Sequence, residues 1–281
     1  MAPKNLYADL TEFKRRFAED ATLDAVDAAE IEKAIEASSR RADWYCRRRF
    51  YVRTGTRVRH GNGQNAIRIP DLVAETTIKL DEDGDRTFEL TLVAGTDYYL
   101  LRHGFEDEDE TPFTLLRLDA VNGQRTIFIN RLRLVEIVGR WGFKEDTELL
   151  TSLAAEALDV GETAFDVDDG TEFAVGQTIQ VDDEDMYIQA ISTNTLTVER
   201  GVNGTTDATH LDNAPIDRFI WVPAVREATL ILAARLWKRR ETGYANTVVN
   251  PTVGTFETFR RSDPDVTALL DPYVRGDELA A

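Results

Sequence analysis

Between residues 151 and 216 the chain carries fourteen acids and a single base, Arg200, while the rest of its 281 residues holds 37 acids against 32 bases. A composition shift that abrupt marks a boundary between separately built parts. The segment is also periodic. Ala164-Phe165-Asp166-Val167-Asp168, Thr178-Ile179-Gln180-Val181, Met186 to Ile191 and Leu196-Thr197-Val198 alternate apolar and polar residues, and Gly161, Gly170, Gly176, Asn194, Gly201 and Gly204 punctuate the runs. Alternation at period two puts the apolar side chains on one face of a strand, and glycine-bearing breaks let the chain turn. The segment therefore reads as a small antiparallel β barrel or sandwich.

The flanks follow other periods. Leu6, Leu10, Phe13 and Phe17 are spaced four, three and four apart, which lines them along one helical face. Ile31, Ile35, Ser38, Ala42 and Tyr45 repeat that spacing in a second helix from about Asp24 to Arg49. From Thr56 to Gly142 the pattern is that of strands: Thr56 to His60, Ala66 to Ile69, Thr76 to Leu80, Phe88 to Val93, Tyr98 to Leu101, Phe113 to Leu118, Thr126 to Ile129 and Leu132 to Gly139. Acidic stretches at Asp81 to Asp85 and Phe105 to Thr111 interrupt them. Pro223 then opens a third helix that ends in Lys238-Arg239-Arg240, suited to the negative pole of a helix, before Gly243 stops it. That helix is apolar around nearly its whole circumference from 228 to 237, so it is either central to the fold or shared with another subunit. A short helix is expected near Pro264 to Leu270.

These patterns predict an α+β protein: a small helical bundle with an antiparallel β layer, plus an inserted all-β domain. Residues 1–150 and 217–243 form the core, 151–216 the acidic insert, and 244–281 a C-terminal docking tail. Cys46 is the only cysteine, which excludes an intrachain disulfide and a multi-cysteine zinc site. No apolar run approaches the roughly 20 residues of a membrane helix, and the N-terminus lacks a secretory pattern, so a soluble protein without membrane contact is expected. The formal charge is −18, with 27 Arg and only 6 Lys. A carboxylate-rich, lysine-poor surface suits a salt-adapted host, and it equally suits an acidic mesophilic protein from a GC-biased gene.

Signals for chemistry are sparse. His60, His103 and His210 lie far apart, outside any His-Glu-x-x-His array, and read as turn or strand residues. Gly61-Asn62-Gly63 has neither the third glycine nor the helix of a phosphate cradle, so it reads as a hairpin turn. Asp166, Asp168, Asp169 and Gly170 resemble the start of a calcium loop, but the glycine comes one place early and Gln177 stands where Glu is needed. The Asp81 to Asp85 run has Arg86 in place of the required glycine. Both read as solvated acidic turns. No serine sits in a nucleophile elbow. Asn203-Gly204-Thr205 fits a glycan acceptor but reads as a turn. No catalytic, cofactor or metal residue is therefore assigned, and the chain is not expected to be an enzyme.

Arg40, Arg41, Arg47, Arg48, Arg49, Arg53, Arg57 and Arg59 follow one another among Trp44, Tyr45, Phe50 and Tyr51. Such a stripe can contact phosphates, or it can pair with the acidic excess of the same or a neighbouring chain. In a chain this acidic the salt-bridge use is favoured.

Several stretches, taken in order, resemble the head-tail connector (adaptor, or head-completion) proteins of long-tailed double-stranded DNA viruses. They are Tyr7-Ala8-Asp9-Leu10-Thr11-Glu12-Phe13-Lys14, the helix end Ala42-Asp43-Trp44-Tyr45-Cys46-Arg47-Arg48-Arg49-Phe50, Ile67-Arg68-Ile69-Pro70-Asp71-Leu72, and Val138-Gly139-Arg140-Trp141-Gly142-Phe143. The stretch from Val222-Pro223-Ala224-Val225 to Arg240, Ser262-Asp263-Pro264-Asp265-Val266 and Leu269-Leu270-Asp271-Pro272-Tyr273 continue the likeness. The acidic insert departs from the family's minimal pattern and looks like a β module seen inside virion structural proteins.

The resemblance implies a ring, usually of about twelve copies, beneath the portal protein, with the viral DNA passing non-specifically through its centre and the next tail or neck protein below. It places the chain in the virion neck, and in the host cytoplasm during assembly. In such a ring Trp44, Tyr45, Leu232, Leu236 and Trp237 are expected at subunit contacts, and Phe256, Phe259 and Tyr273 at the portal or tail. Arg47, Arg48 and Arg49 would line the DNA channel or form salt bridges. The alternatives are another tail or baseplate protein and a carbohydrate- or cation-binding β module.

Overall fold

The computed structural model describes residues 4–17, 25–102, 111–241, 247–250, 255–258 and 263–276, with side chains omitted at 25–26, 241–250 and 255–258. Helices α1 (Leu10–Phe17) and α2 (Ala25–Cys46) are followed by β1 (Arg53–Arg59), β2 (Ala66–Leu80), β3 (Leu90–Leu92), β4 (Tyr98–Arg102), β5 (Phe113–Leu118) and β6 (Val135–Trp141). Next come β7 (Asp146–Leu149), β8 (Ala164–Asp166), β9 (Thr178–Val181), β10 (Glu184–Ser192), β11 (Thr195–Glu199) and β12 (Ile216–Ile220). Helix α3 (Pro223–Glu241), the strands β13 (Thr247–Asn250) and β14 (Thr255–Thr258), and α4 (Pro264–Leu270) follow. The class is α+β, with antiparallel sheets throughout. His103, most of the break at Phe105 to Thr111, and Gly243 lie outside the described residues.

The chain divides into two compact units, and the cut differs from the one composition suggests. One unit comprises Met1–Arg47, Asp146–Val202 and Thr206–Arg275; the other comprises Arg48–Glu145, Asn203–Thr205 and Gly276–Ala281. The acidic segment thus belongs with the helices, and the β layer stands as a unit of its own.

The reason lies in residues 4–9, which precede α1 and run beside the acidic sheet. Gly176, at φ +86°, leaves room for Leu6, whose Cδ1 would sit 2.4 Å from any added Cβ. Lys4 Nζ pairs with Glu199 at 2.6 Å, Gln177 Nε2 donates to Asp9 at 3.2 Å, and the Tyr7 ring meets Trp221 edge-on at 5.0 Å. The sheet itself is six-stranded, ordered β7-β12-β9-β10-β11-β8, and reaches past both expected borders through β7 and β12. Its two ends, β7 and β8, do not pair, so the ladder does not close into a barrel. Phe165, Ile179, Val181, Met186 and Leu196, drawn from the alternating runs, form its core together with Ile216 of β12.

In the same unit Phe13, Ile31, Ile35, Leu230 and Ala233 make the helical core. Helix α3 lies against α1, α2 and α4, so its apolar circumference is used within the chain. Helix α4 is capped by Asp263, which accepts the Asp265 N–H at 2.9 Å, with Pro264 in its first turn.

The second unit is built on the sheet β1-β6-β2-β5-β4, with β3 alongside β2. Strand β2 replaces two separately expected strands. Pro70 has no N–H to give, and the β5 ladder jumps there from Arg68 to Leu72, where pairing with β6 begins. Thr126 to Ile129, expected as a strand, is irregular instead. Phe128 is buried and exchanges bonds of 2.7 Å with Gly63 and Gln64, while Ile127 and Ile129 face solvent.

Candidate functional site

Helix α2 buries Ile31, Ile35, Ser38 and Ala42 of the spacing read from sequence, with Cys46 buried in place of the half-buried Tyr45. That leaves Trp44 on the opposite face, 81% exposed, whereas the other three tryptophans are buried or half-buried. Tyr45 donates its hydroxyl to Asp271, which raises the phenol's pKa and ties α2 to the turn after α4. Leu232 is only 6% exposed, within the chain's own packing, so it cannot anchor a neighbouring subunit; this corrects the expectation. Leu236 and Trp237 are half-buried, Trp237 against the helical core with the Arg240 guanidinium 3.8 Å above its ring. Of the five expected contact residues, Trp44 alone offers a wide open apolar surface. Tyr273 is half-buried in the turn after α4, Phe256 lies on β14 with only its backbone described, and Phe259 lies outside the described residues.

The three consecutive arginines part company. Arg47 ends α2 at φ +55° with an exposed side chain. Arg48 puts Nε 3.5 Å from Asp71 Oδ2 and its guanidinium 5.0 Å over Phe143, so it serves the salt-bridge role. Arg49 is exposed and rests 5.8 Å over Tyr51.

The basic run continues on β1, an edge strand. Its register with β6 places Arg53, Arg57 and Arg59 opposite Trp141, Ile137 and Val135, on the face that holds the core. The aliphatic stems cover the rim of that core, and Arg57 lies 4.5 Å over the Trp141 ring. Burial lowers the Arg57 pKa to about 10, and repulsion by Arg49, Arg59 and Arg53 adds to the fall. Arg57 stays cationic at neutral pH, so the edge holds a concentrated positive charge that also blunts it against indiscriminate strand pairing.

The acidic sheet contains the opposite arrangement. Glu184 is 1% exposed and receives Arg200 Nε at 2.7 Å, Arg200 Nη2 at 2.8 Å, and the Gly201 and Ala208 N–H groups at 2.8 and 3.0 Å. His210 sets Nε2 2.9 Å from Glu184 and Nδ1 2.7 Å from Asp182. Arg200 also donates to the carbonyls of Glu162 and Ala208, and pairs with Asp207 at 3.0 Å. Burial alone would raise the Glu184 pKa, but the bonds from Arg200, His210, Ala208 and Gly201 outweigh it and hold the carboxyl at about 2. Glu184, Arg200 and His210 are enclosed while Asp182 stays open to solvent, and the knot braces the loop of residues 200–210. Its one sequence signal was Arg200 as the sole base in the segment; nothing in the spacing joined Glu184 to His210.

Asp81, Asp83, Asp85 and Glu89 form the single group among the described residues that could hold a cation, with ligand oxygens within 4.8 Å of one another. Asp81, buried, already accepts the N–H groups of Gly84 at 2.6 Å and Arg86 at 3.0 Å. Asp166, Asp168 and Asp169 do not converge: they accept from Thr195, Leu153 and Thr171 respectively and fasten separate turns. Comparison with protein-family models, with curated proteins and with solved structures finds no match for the chain.

Proposed function

We propose that this chain is a non-catalytic structural protein of a virion, a connector whose copies form a ring, of about twelve subunits, between portal and tail and continue the DNA channel. The observation that carries this reading is Trp44, a tryptophan standing 81% exposed at the end of a 22-residue helix whose other face is fully engaged. A large aromatic on a rigid support loses little entropy when it is covered, which is what a subunit contact needs. The resemblance of ordered stretches on both sides of the acidic segment to head-tail connectors adds to the reading. On this reading the helices and the β layer are the adaptor core, and the acidic sheet is its addition. The portal, the next neck or tail protein and DNA are the partners, and the virion neck the location.

The test is the mass of the purified full chain, alone and with a portal ring, under native conditions. One discrete multimer is expected, with at least tenfold weaker assembly in Trp44→Ala at unchanged thermal stability. A wild-type chain that remains monomeric at every concentration, with and without the portal, overturns the reading.

A further inference from the structure

We propose that Arg49, Arg53 and Arg57 form a docking edge for the acidic sheet of a second copy of this chain, received through its Asp166, Asp168 and Asp169. This rests on the ring reading and names the contact that would join one subunit to the next.

Three observations carry it. First, no carboxylate among the described residues lies within ion-pair distance of these three arginines, although Arg48 beside them has Asp71. Around Arg57 the cations Arg49, Arg59 and Arg53 repel it and Asp71 alone opposes them, so a carboxylate from outside would relieve the remaining repulsion. Second, the rings of Tyr51 and Trp141 support Arg49 and Arg57 from below, which holds the guanidinium groups in place for carboxylate recognition before any partner arrives. Third, residues 151–216 contain one cation, and it is consumed: Arg200 is 4% exposed by side chain and spent on Glu184 and Asp207. Asp166, Asp168 and Asp169 are exposed, with no cationic side chain within ion-pair distance among the described residues. The surplus charge of the acidic sheet thus has no remedy inside its own segment, and Arg49, Arg53 and Arg57 have no carboxylate within ion-pair distance among the described residues. A second copy supplies both at once, and the contact is heterologous, the kind that closes a ring. DNA could satisfy the arginines, but would leave the aspartates as they are, on a chain of net charge −18 that repels it.

The experiment uses the full chain at about 0.15 M salt, where charged contacts still act. Arg49→Glu with Arg53→Glu blocks one side, and Asp168→Lys with Asp169→Lys blocks the other. Each variant alone is expected to self-associate at least tenfold more weakly than wild type. Mixed in equal amounts they offer one native pair of surfaces and one pair with its charges exchanged, so assembly should return in the mixture although each variant alone fails to assemble. Asp168→Asn with Asp169→Asn keeps the turn-fastening oxygens and should also weaken assembly, which guards against a folding defect. Wild-type-like assembly of the glutamate variant overturns the inference and leaves the ring reading standing. So does unchanged assembly with lost retention on duplex DNA, which would assign the edge to nucleic acid. A wild type that never assembles overturns both.

Discussion

Arg200 and Arg53 belong to two regions built on the same plan, six-stranded antiparallel sheets, yet they are used in opposite ways. In the acidic sheet the one arginine is drawn inside, where it meets Glu184, Asp207 and three backbone carbonyls. In the other sheet, Arg53 and Arg57 are set along an edge strand, Arg53 open to solvent and Arg57 over the face of Trp141. A scarce charge can be buried only if every polar atom around it is satisfied, whereas plentiful like charges repel one another and stay at the rim. Overall composition therefore says little about what any one arginine does.

Arg200→Ala should break this contrast most severely. It leaves Glu184 buried without its cation and is expected to cost about 3–5 kcal/mol in denaturant unfolding. The same knot sets an acid limit. Because the Glu184 pKa is depressed to about 2, its stabilisation is complete above the unfolded carboxylate value of about 4.3 and drains away as the pH falls toward 2. Glu184→Gln should abolish that part of the acid unfolding curve, followed by circular dichroism. In the other unit close backbone approach replaces charge as the constraint. Gly61→Ala would place Cβ 1.9 Å from the Ile129 carbonyl oxygen and should cost about 1–3 kcal/mol. Arg47→Gly should stabilise by a few tenths to about 1 kcal/mol, since Arg47 occupies the left-handed region at φ +55°. Arg53→Gln should change stability by less than about 0.5 kcal/mol, read from the thermal midpoint. A large loss there would show that the exposed edge arginines, too, hold up the fold.

Period and punctuation made most of the elements legible. Pro264–Leu270 and Thr178–Val181 fall on the residues expected, and α2 ends three residues early because Arg47 turns left-handed. The alternation that marked β8 to β11 also picked out their core. What stayed hidden depends on distant partners. The fusion of two expected strands into β2 requires pairing to pass from β5 to β6 beyond Pro70, and β7 and β12 are defined by their pairing, β12 between β7 and β9. Composition marked a border at 151, but the packing of Leu6 under Gly176 ignores it. Exposure was the hardest quantity to read: Leu232 and Trp44 are both large and apolar, and only the packing of α3 and α2 separates an interior residue from an open one.

Residues 203–205 count with the β unit although the chain on either side of them belongs to the other, and Gly204 approaches the Thr54 carbonyl so closely that a Cβ would stand 2.3 Å from it. No single run of codons therefore encodes either unit: a gene fragment for 48–145 omits a distant stitch, and one for 146–220 carries it away. Cloning, limited proteolysis and circular permutation would each have to respect that interleaving, since a cut at one loop leaves the pieces threaded together.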